Sequence, residues 1–193
     1  MSSSGFFPTA WTHDLVSVAD VLSDETDLIA RLHRTRSDIG TVDKSFLPVE
    51  IEEYAELVRS STLNESEGKP FRLQVFRDAS GRPCGYFHAF GNHPFEDCLF
   101  ISMFFVVPGH ARQGIGRSAV EGIKKRAADL GFERILLNVF LANRDALSFW
   151  IDQGFDRIDK FRRSEESGVP DRLILELKLR SDAGSEWTRH FAV

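Results

Sequence analysis

Leu99-Phe100-Ile101-Ser102-Met103-Phe104-Phe105-Val106-Val107 runs into Pro108 and then into Gly109-His110-Ala111-Arg112-Gln113-Gly114-Ile115-Gly116-Arg117, and the rest of the chain is read outward from here. The first nine residues are apolar and β-prone, too short a run to span a bilayer, and they predict a central strand that Pro108 ends. Ala119, Val120, Ile123, Ala127 and Leu130 then recur at the spacing of a helix with one buried face. Strand, glycine turn and helix come in that order. Glycines let a ligand approach the backbone closely, and the free amides that open a helix carry the positive end of its dipole. That combination predicts a phosphate site.

Three phosphate-binding motifs could account for this turn. A Walker loop needs Lys and then Ser or Thr after its second glycine, whereas Gly114 is followed by Ile115 and Gly116. Gly114-Ile115-Gly116-Arg117-Ser118-Ala119 does match the G-x-G-x-x-A dinucleotide pattern. Its acidic partner should end the next strand, where Val139, Phe140 and Leu141 stand instead, so a nicotinamide-dependent oxidoreductase is the weakest of the readings. The third motif is motif A of the GNAT superfamily of acyl-CoA-dependent N-acyltransferases, Q/R-x-x-G-x-G/A. The turn resembles it, with Ala111, Gly114 and Gly116 at the three fixed positions. Ala111 departs from the pattern, and the expectation is that Arg112 or Gln113 does its work. A second block, Asn143-Arg144-Asp145-Ala146-Leu147-Ser148-Phe149-Trp150-Ile151-Asp152-Gln153-Gly154-Phe155, is similar to the family's N-x-x-A, aromatic helix and G-F ending. The resemblance covers residues 71–179 and, more loosely, the residues before them.

The resemblance implies an α/β fold: a mixed, mostly antiparallel sheet with one parallel pair at the cofactor site, flanked by helices. The cosubstrate implied is acetyl-CoA. Its pyrophosphate would meet the amides of Arg112, Gln113, Gly114, Ile115, Gly116 and Arg117, and its pantetheine arm the backbone of Phe105, Val106 and Val107. Asn143 and Trp150 would also touch it.

At 193 residues the chain suits one domain, with a core at about 14–180 and tails at 1–12 and 181–193. A hydrophobic share of 42% with 27% charged residues is that of an ordinary globular protein. The formal net charge of −5 and the lack of a lysine-rich run argue against a nucleic-acid partner. No basic n-region or long apolar segment suggests secretion or a membrane, so the expected compartment is the cytoplasm. Cys84 and Cys98 lack metal or redox spacing, and no metal is expected.

Along the chain, residues 1–12 read as a loose lead-in whose Phe6, Phe7 and Trp11 can dock on the body, and 14–19 as a first strand. Ser23 or Asp24 caps a predicted helix carrying Leu28, Ile29 and Leu32; Pro48 starts another with Ile51, Tyr54, Ala55, Leu57 and Val58. Residues 71–76 and 83–90 predict a hairpin around the turn Asp78-Ala79-Ser80-Gly81. Residues 134–141 predict a strand parallel to the central one, 143–153 a helix, and 155–161 with 173–179 a closing hairpin. Trp187 and Phe191 in the tail can pack on the domain or on a second copy in a homodimer.

Acyl transfer to an amine also needs a base, because a lysine-like amine of pKa about 10.4 is protonated at neutral pH. Where many relatives place a glutamate, this chain has Phe100 and Asn138. The base candidates are therefore Glu96 and Asp97 in the loop before the central strand and His88 on the hairpin, with His93, Glu52 and Glu53 behind them. Many relatives place a tyrosine acid four residues before the glycine of the second block; Trp150 stands there and cannot serve as an acid. The function expected is acetyl transfer from acetyl-CoA to a primary amine of a small molecule or peptide. The rival is an acyl-CoA-binding regulatory module without turnover. Glu50, Glu52, Glu53 and Glu56 hint at a cationic acceptor, although such a run also reads as a wet helix face.

Overall fold

The computed structural model describes residues 6–35, 40, 43–44, 52–53, 55–56, 58–59, 70–164 and 171–179. Its elements are β1 (Ala10–His13), β2 (Val16–Asp20), α1 (Thr26–Arg34), β3 (Phe71–Arg77), β4 (Pro83–Gly91), β5 (Cys98–Val106), α2 (Ile115–Asp129), β6 (Arg134–Phe140), α3 (Arg144–Asp152), β7 (Arg157–Arg162) and β8 (Arg172–Lys178). The strands form one open sheet in the order β1-β2-β3-β4-β5-β6-β8-β7. Of the described pairings only β5 with β6 is parallel. This is the mixed sheet that the sequence implies, with α2 as the crossover that a parallel pair requires.

Each face of the sheet has its own core. Ala119, Val120, Ile123 and Ala127 of α2 pack with Trp150 of α3 over Leu99, Ile101, Ile135, Leu137 and Val139 on one face. Ile29, Ala30 and Leu32 of α1 pack over Leu73, Val75, Tyr86 and Phe105 on the other. Leu99 and Ile101 thus face α2, yet Phe105, an even number of residues further on, faces α1. The cause is a β-bulge: Ala89 pairs with Ile101 and His88 with Met103, which leaves Ser102 as an extra residue that reverses the alternation. From Ser102 onward Phe104 and Val106 belong to the α2 face.

The start of the chain differs from its expected role as a lead-in. The predicted first strand is β2, and residues 10–13, expected in the lead-in, form a further strand, β1; Asp14 at φ 43° lies in the turn between them, and the two pair from Ala10–Ala19 to His13–Val16. Phe7 and Trp11 are buried. Trp11 lies against α2 where only a glycine fits, since a Cβ on Gly122 would come within 2.3 Å of the indole ring. The Arg126 guanidinium sits 4.2 Å over the same ring, and the indole N–H donates to Gln74 Oε1 at 2.9 Å. Ser118 joins α2 to the β1–β2 turn, donating to the His13 carbonyl at 2.7 Å and accepting from the Leu15 amide at 3.0 Å.

The predicted first helix appears as a 3-10 turn at Ser23–Glu25 running into α1. The helix predicted from Pro48 falls largely outside the described residues; Glu52, Glu53, Ala55, Glu56, Val58 and Arg59 carry helical backbone. The hairpin turn closes on Asp78, whose carboxylate accepts from the amides of Ser80 at 2.9 Å and Arg82 at 3.0 Å. The tail from residue 180, with Trp187 and Phe191, lies outside the described residues.

Candidate active site

The parallel ladder is short. Residues pair from Cys98–Arg134 to Ile101–Leu137 and stop there, although β5 continues to Val106 and β6 to Phe140. The two strands part beyond that point, and a cleft of about 660 Å³ opens in the gap. Backbone polarity is set by the register on the other side. The Val107 amide donates to the Cys84 carbonyl at 2.9 Å, so Phe105 and Met103, two and four residues back, also direct their amides toward β4. Phe104 and Val106 lie between them and turn their N–H and C=O groups into the gap. Phe105 and Val106 both line the cleft, whereas Val107 has its amide engaged with β4 and lies outside it.

The turn after β5 is shaped by two residues in the left-handed region, Arg112 at φ 61° and Gly114 at φ 81°. Gly114 takes that geometry without strain, while Arg112 holds it at a cost. Gln113 closes the loop by donating to the Gly109 carbonyl at 2.8 Å, so its side chain is occupied internally. The first helical bond of α2 runs from the Ser118 amide to the Gly114 carbonyl at 2.9 Å. The amides of Ile115, Gly116 and Arg117 precede it and form the open N-terminus of a 15-residue helix. Arg112, Gly114, Gly116 and Arg117 line the cleft, and the Ile115 side chain is buried beneath it. Gly116 sits close to both walls: a Cβ there would lie 3.3 Å from Val106 Cγ2 and 3.4 Å from the Phe149 ring.

Asn143 and Trp150 also line the cleft. Asn143 caps α3, its Oδ1 accepting from the Ala146 amide at 3.2 Å, and its Nδ2 donates to Asp43 Oδ2 at 2.8 Å. Trp150 is buried and meets Phe104, Phe149 and Phe155 edge to face at 5.0–5.2 Å, so its indole serves as apolar wall.

The three base candidates lie elsewhere. Glu96 and Asp97 precede β5 at the end opposite the cleft, and seven residues of strand at about 3.3 Å each separate Asp97 from Phe104 by roughly 23 Å. Asp97 accepts from Arg134 Nη2 at 3.1 Å and Glu96 faces solvent. His88 is buried on the α1 face between Phe71 and Tyr86, whose rings are 6.0 and 5.6 Å away. Burial, with nearby His33 second, pushes its pKa down to about 3, so it is a neutral ring at physiological pH.

Other polar side chains do line the gap: Asp43, Ser102, His110, Asn138, Asp145, Ser148, Asp152 and Gln153. Asp43 is buried, while Asp145 and Asp152 are exposed. His110 Nε2 lies 3.3 Å from Asp78 Oδ2. The Ser80 hydroxyl, ahead of the backbone amides and His110 itself, holds that carboxyl well below the usual range. No local pattern announces these groups, because Asp43 and Asn143 are 100 residues apart and Asp78 and His110 are 32 apart. Among the described residues there is no group of three or more His, Cys, Asp or Glu poised for a metal ion, and no helix long and apolar enough to cross a membrane.

A parallel pair that parts beside an open helix N-terminus suits a phosphate-bearing ligand with an extended arm, and comparison with known proteins names the fold. Residues 37–155 match the acetyltransferase (GNAT) family, and the chain belongs to it. Solved structures of the same fold include an acetyltransferase from Thermus thermophilus, with TM-score 0.63 and 22% identity over 87% of this chain and 99% of that one. Spermidine N-acetyltransferase from Vibrio cholerae, in complex with CoA and spermine, superposes with TM-score 0.69 and 16% identity over 86% and 96%. The ribosomal L7/L12 α-N-protein acetyltransferase RimL, in complex with coenzyme A, gives TM-score 0.70 and 13% identity over 89% and 97%. None of the curated proteins matches the chain in sequence.

Proposed function

We propose that this protein transfers an acetyl group from acetyl-CoA to a primary amine. The observation that carries the proposal is the pairing, in one cleft, of unladdered backbone groups at Phe104 and Val106 with the open helix N-terminus at Gly116 and Arg117. Coenzyme A has a diphosphate at one end of an arm that contains two amides. The helix N-terminus suits the diphosphate, with the dipole contributing up to about 2 kcal/mol, and Arg112 and Arg117 add charge. The bare edge of β5 suits the arm, which can bond to it as a short strand would. Bound there, the thioester supplies the acyl group.

The chain's own work is then to align the amine, polarise the carbonyl and accept a proton. An N–H of Phe104 or Val106, held rigid by the bulge, is an oxyanion donor of the kind such transfers use. The amine's proton has to leave through groups that face the gap, which Glu96, Asp97 and His88 do not. Trp150 lends no acid, and none is required, because a thiol of pKa about 8.5 leaves as its thiolate. Among fold relatives, the Vibrio cholerae enzyme holds spermine and RimL acts on a protein α-amine, so both acceptor classes are consistent with this scaffold.

Free thiol release from acetyl-CoA in the presence of spermidine, an aminoglycoside, amino acids and lysine peptides tests the proposal. Amine-dependent thiol release is expected. Tight coenzyme A binding with no release for any amine would instead favour a binding module, the reading that Trp150 in the usual acid position supports.

A further inference from the structure

We infer that the β1–β2 turn braces the phosphate turn, with Ser118 and Leu15 as positioning residues that fix the amides at the start of α2; this rests on the proposed donor reading. Gly114, just before α2, and Ser118, Gly122 and Arg126 within it recur at intervals of four and so form a single stripe. The hairpin follows that stripe. Arg126 Nη2 donates to the Thr12 carbonyl at 3.1 Å, and a Cβ on Gly122 would lie 3.0 Å from His13 Cβ as well as striking Trp11. Ser118 Oγ then ties the His13 carbonyl and the Leu15 amide to the helix. At the head of the stripe a Cβ on Gly114 would lie 3.2 Å from Leu15 Cδ1, so Leu15 rests on the phosphate turn itself.

A helix start is usually ordered by a capping side chain that occupies its free amides. At α2 the cap position is Gly114, and no side-chain cap bond is made there. A cap would compete with an anionic ligand for the same N–H groups, whereas an uncapped first turn frays. Ser118 resolves this conflict. It lies one turn inside the helix, its amide donates to the Gly114 carbonyl at 2.9 Å, and its side chain is buried against the hairpin. The brace therefore orders the turn from behind and leaves the Gly116 and Arg117 amides uncommitted. Neither Ser118 nor Leu15 lines the cleft, so both act through the turn. Asp14, at φ 43°, makes the bend that brings Leu15 onto α2.

Coenzyme A calorimetry and amide hydrogen exchange on the full chain test the inference. Ser118→Ala removes both bonds to the hairpin and should weaken coenzyme A about tenfold, while the residue 118 amide, which reports the bond to Gly114, loses about tenfold in protection. Arg126→Gln loosens the far end of the same hairpin and controls for lost stability. Its coenzyme A affinity should stay within about twofold even where its melting temperature falls as far as that of Ser118→Ala. Asp14→Val strains the left-handed bend without touching α2 and should reproduce the affinity loss; Asp14→Gly, which takes that φ freely, should not. Unchanged affinity in Ser118→Ala, or an equal loss in Arg126→Gln, overturns the inference. If the unaltered protein does not bind coenzyme A, the donor reading falls and exchange alone decides the brace. Faster exchange at residue 118 in Ser118→Ala and Asp14→Val but not in Arg126→Gln then upholds it, and any other pattern overturns it.

Discussion

Between Arg112 and Arg117 the cleft presents main-chain amides from one continuous turn; around Asp43 and Asn138 it presents side-chain oxygens from segments about a hundred residues apart. The first half depends on backbone shape, so its critical residues are those that permit the shape, Gly114 and Gly116. The second half depends on particular functional groups, held by bonds such as Asn143 to Asp43. Donor binding should accordingly be broken by bulk and insensitive to most side-chain chemistry. The second half should instead be sensitive to isosteric changes of its side chains.

The sharpest break in this contrast is Gly116→Asp, which puts both bulk and negative charge between Val106 and Phe149. Coenzyme A affinity measured by calorimetry should fall about a hundredfold, on the order of 3 kcal/mol, and unchanged affinity would remove the turn from the donor site. Asn143→Ala comes next, because it strips α3 of its cap and Asp43 of its anchor together. It should lower stability by about 1 kcal/mol in chemical denaturation and raise the KM of an amine found to be turned over by about tenfold. A KM that stays flat while stability drops would confine Asn143 to capping.

Acid stability sharpens the same contrast from outside the cleft. His88 binds its proton with pKa about 3 in the folded chain and about 6.5 in the unfolded one, so between those values the unfolded state carries more protons. Stability is then fully present above pH 6.5 and is lost as pH falls toward 3, by up to about 1.4 kcal/mol per pH unit from this group. His88→Leu should flatten that part of the curve and leave coenzyme A affinity alone; an unchanged acid slope would mean that His88 is not the buried neutral ring described. The smallest effect belongs to Arg112→Gly. Relief of the positive φ should raise stability by about 0.5 kcal/mol, while loss of one guanidinium at the phosphate turn should weaken coenzyme A by about threefold. Should affinity hold, Arg112 would be a solvated residue and the amides alone would bind the diphosphate.

The same division explains what could be read from the residues. Strand, turn and helix from Leu99 to Leu130 were legible because their signals, an apolar run, glycines and a 3.6-residue period, are local. The parallel pair and closing hairpin could be built from that register. The bulge at Ser102 was not legible, since nothing in an apolar run marks which residue is left unpaired. Glu96 and Asp97 are near β5 in sequence, but a strand holds its two flanking loops at opposite ends, and the cleft is at the far end from theirs. Asp43 was invisible because its importance comes from Asn143, and β1 was missed because the burial of Trp11 depends on Gly122 in a helix still to come.

The unfinished ladder between β5 and β6 has one more consequence. An exposed strand edge usually invites a neighbouring chain to add on, but this one is enclosed within the sheet, with strands on both flanks. Only something slender, amide-bearing and anchored at one end can reach it. On the proposed reading a bound acyl-CoA would finish that edge as a guest strand, and the fold should then be at its firmest while the cosubstrate is seated.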